Sequence, residues 1–348
     1  MMTLLALSAS LAACGGIAGP VAPSPTPDGV NVPPPAGVTL RSAAASIGKL
    51  VGAAVKSNLL ADGEYSRVLR QEFNYLTAEY ELKWDVIEPR MGRTDYSRGD
   101  AIVSFGDAQR LRMKGHALIW HESTPSWVED LPTDAFRAAL MAHIRTTVGR
   151  YRGRLAAWDV VNEAVSDGGG LRDSVYQRKL GNGYIAEAFR EARTADPSAL
   201  LFYNDYGAEG LNGKSNRVYE LVRDLKAAGV PIDGVGLQMH VGTTSRPSVA
   251  DIAANMRRLA ALGVVVTISE MDVVLNGPGS QDERLAAQRE VYRDIVGVCV
   301  REPRCDGVTF WGFTDGHTWL PGQEPLLFDA QYGRKPAYSG VLDALLGR

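Results

Sequence analysis

Eight short apolar runs, separated by amphipathic stretches of helical period, recur from about Ser42 to the end of the chain. The runs are Leu50–Val55, Tyr75–Thr77, His116–Trp120, Ala157–Asn162, Leu200–Asn204, Gly234–Met239, Val264–Ser269 and Gly307–Gly312. Such runs, β-branched and bounded by turn residues, read as strands buried on both faces, as in a parallel sheet. Between them lie helical patterns such as Asp134–Tyr151, Tyr184–Asp196, Ser215–Ala228, Val249–Leu262 and Asp282–Val300. Pro197, Gly229 and Gly263 punctuate the helix ends. Eight strands, each followed by a helix, in about 300 residues is what a (β/α)8 TIM barrel of the α/β class needs. A doubly wound sheet also alternates, but no Gly-rich phosphate loop follows the first run to hold a dinucleotide.

The chain has 348 residues, 45% of them hydrophobic, which suits one large domain with a substantial core. Its formal net charge of -3 and the lack of any Lys/Arg block argue against nucleic acid as a partner. No apolar stretch beyond the amino terminus reaches the ~20 residues of a membrane span. Residues 1–14 resemble a secretory signal: Leu4 to Ala13 is apolar and ends in small residues, and Leu11-Ala-Ala-Cys14 resembles the lipobox in which the cysteine is lipidated. No Lys or Arg precedes that run, which departs from the usual signal. Residues 15–41, rich in Pro, Gly, Ala and Val, read as a tether or a disordered tail outside the fold. The catalytic domain is then expected over 42–348. Cys299 and Cys305 flank a short turn and are either a disulfide or two reduced thiols. A disulfide fits the exported reading, with the protein secreted or held at the cell envelope by one lipid anchor, and otherwise a monomer.

Two of the apolar runs end in a glutamate. Glu163 closes Ala156-Ala-Trp-Asp-Val-Val-Asn-Glu163, and Glu270 closes Val264-Val-Val-Thr-Ile-Ser-Glu270. A carboxylate there is costly to bury and adds nothing to core packing. In a barrel, the carboxyl ends of the strands carry the active site. The strand count puts Glu163 after the fourth strand and Glu270 after the seventh, facing each other across the top. Two such carboxylates are the working parts of a glycoside hydrolase, although each alone reads equally well as an ordinary loop acid. A metal site is the rival reading. His116 and His121 are an odd number of positions apart, so a regular strand points them to opposite faces, and no third ligand stands at metal spacing. His143, on a helix face, reads as a packing or surface residue. Neither metal nor cofactor is expected.

Further motifs follow in order: Glu79-Tyr-Glu-Leu-Lys-Trp-Asp-Val-Ile-Glu-Pro89, Gly115-His-Ala-Leu-Ile-Trp-His121 with Thr124-Pro-Ser-Trp127, and Trp158-Asp-Val-Val-Asn-Glu-Ala164. After them come Tyr203-Asn-Asp-Tyr206, Gly236-Leu-Gln-Met-His240, Ile268-Ser-Glu-Met-Asp272 and Phe310-Trp-Gly-Phe-Thr-Asp315 with Trp319. Together they make the chain resemble glycoside hydrolase family 10, the endo-β-1,4-xylanases, from about Ser42 onward.

The resemblance implies retaining hydrolysis of xylan, with Glu270 as nucleophile and Glu163 as acid/base. It implies that Asn162 hydrogen-bonds the sugar 2-hydroxyl, and that His116, Trp120, Gln238, Trp311 and Trp319 line the subsite where the bond breaks. Glu79 and Lys83 would face the next sugar on the non-reducing side, Tyr206 and Asn204 the leaving-group sugar. His121 belongs with these substrate contacts. From the residues themselves, His240 and Asp272 can form a relay that keeps Glu270 ionised and oriented. Glu163 is expected among apolar neighbours that keep its proton on. Trp84, Trp127 and Trp158 read as core. One position departs from the family: Tyr80 stands where asparagine is usual, so the glycone subsite is expected to differ. The other readings are a broader β-1,4-glycanase that also takes glucan, a carbohydrate-binding lipoprotein without catalysis, and a phosphate-handling barrel. The acidic ends of the seventh and eighth runs disfavour the last of these.

Overall fold

The computed structural model describes residues 37–348. The signal-like segment, Cys14 and nearly all of the expected tether lie outside the described residues. Eight parallel strands close into a barrel: β1 (Leu50–Val55), β2 (Tyr75–Ala78), β3 (Arg112–Gly115), β4 (Ala157–Asn162), β5 (Leu200–Asp205), β6 (Gly234–Leu237), β7 (Val265–Val274) and β8 (Cys305–Phe310). Each pairs in parallel with the next, and β8 pairs with both β7 and β1, so the sheet has no free edge. Helices follow in turn, from Gly63–Glu72 after β1 to Gln281–Arg301 after β7 and Pro336–Leu345 after β8. This is the expected (β/α)8 barrel.

Local chemistry explains the boundaries. All six residues of β4 are buried, as a strand covered by helices on one side and barrel interior on the other must be. Asn212 and Ser280 each close a capping box at the start of their helices, and Thr39 does the same for the helix Leu40–Ser46. This helix therefore starts before the expected boundary at Ser42. Glycine is required at the end of β3, where a Cβ on Gly115 would stand 2.1 Å from the buried ring of Trp158. Trp84 and Trp158 are fully buried, and Trp127 packs edge-on against Trp84, so these three belong to the core.

Two strands depart from the sequence expectation. The third is Arg112–Gly115, not His116–Trp120, of which only Ile119–Trp120 adds a short pairing to β4. The residue pattern hid it, because Lys114 is buried against Asp159 at 2.6 Å and breaks the apolar run. The seventh does not stop at Glu270 but continues to Val274, because His240–Gly242 lies alongside Asp272–Val274 and extends the ladder. Glu270 thus projects from inside a strand, which holds it more rigidly than a loop would.

Two fastenings complete the barrel. Buried Glu72 accepts hydrogen bonds from the Leu40 backbone at 3.1 Å, Arg334 Nη2 at 2.6 Å and Tyr338 Oη at 2.9 Å. A disulfide joins Cys299, near the end of the helix Gln281–Arg301, to Cys305 at the start of β8.

Candidate active site

The carboxyl ends of the strands surround a cleft of about 430 Å³. Glu163, Glu270, Asn162, Lys83, His116, Trp120, Tyr206, Gln238, His240, Trp311 and Trp319 all line it, as do Tyr80, Glu122 and Gly207. Residues from seven strand ends, far apart in sequence, therefore meet in one place. Glu163 itself follows β4 with φ of 58°, in the left-handed region that non-glycine residues avoid. Such a conformation costs on the order of 1–3 kcal/mol and clusters at functional sites. Met239, between Gln238 and His240, is held the same way, with φ of 68°. Its amide and that of Gly207 both donate to buried Glu209.

Glu270 is gripped from three sides. His240 Nε2 donates to its Oε2 at 3.3 Å, while His240 Nδ1 donates to Asp272 at 2.9 Å. Asn204 Nδ2 donates to Oε1 at 2.6 Å, and His116 Nδ1 stands 3.9 Å from the same oxygen. Burial pushes the Glu270 carboxyl up, but His116, His240 and Asn204 outweigh it and bring it down to about 2. Burial likewise works against charge on His240, yet the Asp272 and Glu270 carboxylates push it up to about 10. The result is a carboxylate–imidazolium–carboxylate relay with Glu270 ionised throughout the neutral range.

Glu163 shares its cavities with Ile119, Ala164, Tyr176, Tyr184 and the cleft tryptophans, and amides hold it as well. Its Oε1 accepts from Gln238 Nε2 at 3.0 Å and from Asn162 Nδ2 at 3.2 Å. The Asn162 carbonyl in turn accepts from Asn204 at 2.8 Å and Gln238 at 3.3 Å. One chain of amides thus runs from Glu270 through Asn204, Asn162 and Gln238 to Glu163. Both donors to Glu163 fall on one oxygen, which leaves the other for a proton.

Three expected substrate contacts lie outside the cleft lining. Asn204 is fully buried and spends its side chain on Glu270, Asn162 and Ser269. Glu79 is buried beside Lys56, 3.4 Å away. His121 faces a small cavity behind Glu163, with Ala164, Arg172 and Tyr184. The chain between Gly115 and Ile119 leaves strand geometry, so the alternation argument for His116 and His121 does not apply there.

Other residues were not anticipated. His116 donates to Asp159 at 3.0 Å, and Asp159 is also paired with Lys114, a second buried relay beneath Glu270. An aspartate inside the apolar run of β4 was the available signal, since a buried acid needs a partner. Trp319 Nε1 donates to Asp272 at 2.7 Å, and Trp311 packs edge-on to His116, so both rings are held by the relays. On the far side, Lys214 lies 3.3 Å from the Tyr206 ring centre and 3.1 Å from Asp205, while Arg172 Nη2 donates to Tyr206 Oη at 3.2 Å. Burial pushes Asp205 up to about 7 against the pull of Lys214. Nothing in the local sequence around Lys214 or Arg172 separates them from surface residues.

This geometry has relatives. Endo-1,4-beta-xylanase B of Thermotoga neapolitana is 38% identical over 318 residues, spanning 88% of this chain and 92% of that protein. An endo-1,4-beta-xylanase of Agaricus bisporus is 37% identical over 304 residues, spanning 85% and 90%. Among solved structures, xylanase 10B from Thermotoga petrophila RKU-1 in complex with xylobiose superposes with a TM-score of 0.86 at 38% identity, covering 89% of this chain and 98% of that one. The model of glycosyl hydrolase family 10 matches residues 39–344, from the capping Thr39 into the last helix. With the whole barrel and its two-carboxylate cleft inside that match, the chain belongs to glycosyl hydrolase family 10.

Proposed function

We propose that the protein is an endo-1,4-β-xylanase that cleaves internal xylosidic bonds of xylan with retention, and that Glu270 and Glu163 carry the chemistry. The observation that carries this reading is the asymmetry of the two carboxylates: Glu270 is locked in its ionised form by His240, Asn204 and His116, while Glu163 keeps one oxygen free in the same cleft. Glu270 attacks the anomeric carbon as Glu163 protonates the glycosidic oxygen, giving a covalent glycosyl-enzyme and a free leaving sugar. Glu163, now a base, takes a proton from water, which attacks the same carbon and releases Glu270. Trp311 and Trp319 would hold the proximal sugar, Lys83 the next one, and Tyr206 the leaving-group sugar. No cofactor enters the reaction.

Digestion of xylan, cellulose and mixed-linkage glucan side by side tests the substrate, with xylo-oligosaccharides expected from xylan alone. Glu270→Ala should lower turnover by several orders of magnitude, and azide should restore it with inversion. Glu163→Ala should damage unactivated substrates far more than activated aryl glycosides, which need little protonation. Normal xylan hydrolysis by Glu270→Ala would falsify the assignment. We also propose that the enzyme is exported and anchored through Cys14, a reading supported by a disulfide that suits an oxidising compartment.

A further inference from the structure

Five large hydrophobic side chains are exposed among the described residues, and two of them, Tyr80 and Trp319, line the cleft. Trp319 is tied down by Asp272. Tyr80 reaches only the neighbouring Glu79 carboxylate with its hydroxyl, and 43% of it is open. It stands two residues past the end of β2, and its surroundings are unusual. Lys83 Nζ lies 4.7 Å from the Tyr80 ring centre and 4.3 Å from that of Trp120, so one ammonium is shared by two rings. Lys56 Nζ lies 5.7 Å from the Tyr80 ring and donates to the His317 carbonyl at 2.9 Å. A cation over a ring face adds to the hydroxyl's bond in holding the ring in place.

Meanwhile Glu79, the neighbouring acid, has withdrawn. It is only 3% exposed, is absent from the cleft lining, and has Lys56 as its ionic partner. Burial raises its carboxyl, and Lys56 and the adjacent tyrosine offset only part of that. The side chain that this segment offers to a substrate is therefore an aromatic ring rather than a carboxylate.

We infer that Tyr80 is the specificity-determining residue of the distal glycone subsite, where its ring takes the flat C–H face of the second sugar from the cleaved bond. This rests on the xylanase reading above. Stacking replaces the directional grip of a carboxylate, and Lys83 fixes the ring against Trp120 so that little rotamer freedom is lost when sugar binds. A shelf of this kind holds an unbranched pentose ring chiefly by contact area, and its hold depends little on the Tyr80 hydroxyl.

Two substrates isolate this subsite: an aryl β-xyloside, which fills only the proximal glycone subsite, and an aryl β-xylobioside, which fills both. The ratio of their kcat/KM values reads the distal subsite alone. Tyr80→Ala should reduce that ratio roughly tenfold, the equivalent of about 1.4 kcal/mol of lost ring contact. Tyr80→Phe should restore most of it. A ratio unchanged in Tyr80→Ala overturns the inference. So does a Tyr80→Phe variant as impaired as Tyr80→Ala, because the hydroxyl rather than the ring would then bind the sugar. If the wild-type enzyme cleaves neither glycoside nor xylan, the xylanase reading fails first, and the inference falls with it.

Discussion

Replacing His240 by Asn removes the cation between Glu270 and Asp272 while leaving a side chain that can still donate a hydrogen bond. In the native site Glu270 titrates at about 2, so at pH 4 about 99% of it is ionised. An opposite charge at this range typically moves a carboxyl by roughly 1–3 pH units. In His240→Asn the acid limb of kcat/KM should therefore rise into the region of about pH 3–5. At pH 4 the active fraction would fall to between about 90% and 10%, with almost no loss from this cause at pH 7. The assay is the pH profile of kcat/KM on an aryl β-xylobioside with a good leaving group, which removes any demand on Glu163.

Stability follows the same charges. Glu270, depressed from 4.5 to about 2, contributes roughly 3 kcal/mol that is present above pH 4.5 and lost as pH falls towards 2. His240, raised from 6.5 to about 10, contributes stability that is complete below pH 6.5 and lost as pH rises through 10. The two shifts share one contact and do not add. His240→Asn also strands buried Asp272, which keeps Trp319 as a donor, at a cost of about 3–5 kcal/mol. The pair His240→Asn with Asp272→Asn should recover part of that loss in a thermal melt while the acid limb stays displaced. An acid limb that coincides with wild type in both variants refutes the reasoning.

The disulfide closes a short loop, worth about 2 kcal/mol by chain entropy. Changing both Cys299 and Cys305 to alanine should lower Tm by a few degrees without altering activity at 25 °C, and an unchanged melt would show that the bridge contributes nothing. Cys14→Ser should shift the protein from the membrane fraction to the soluble fraction, whereas the same distribution in both forms would remove the anchor.

The barrel was legible because seven of its eight strands fall on the mainly apolar runs of a doubly covered sheet. The third escaped because its buried polar residue, Lys114, is neutralised by Asp159, forty-five positions later and invisible in a local window. The two glutamates could be found because a carboxylate at a strand end has no packing reason to be there. Their environments could not. The donors to Glu163 include Gln238, which is 75 residues away, and only the closed barrel brings it near. Asn204 was assigned to the leaving-group sugar by resemblance alone; its direction, inward to Glu270, shows only once the closed barrel brings the two residues together. Residues such as Lys214 and Arg172 earned no attention because a cation that stacks on tyrosine looks, in sequence, like any solvated one.

Glu72 has a consequence for how the chain is made. Its carboxylate leaves the ribosome 262 residues before Arg334 and 266 before Tyr338. At about 5–20 residues per second, that is a wait of roughly 13–50 seconds. Over the same interval β1 has β2 on one side and nothing on the other, because its partner β8 is among the last strands made. The nascent protein therefore carries an open sheet edge until β8 is made, and an acid without Arg334 and Tyr338 until the segment after β8 follows. Ribosome-bound chains stalled before Arg334 should accordingly be protease-sensitive along their whole length, and full-length released chains resistant.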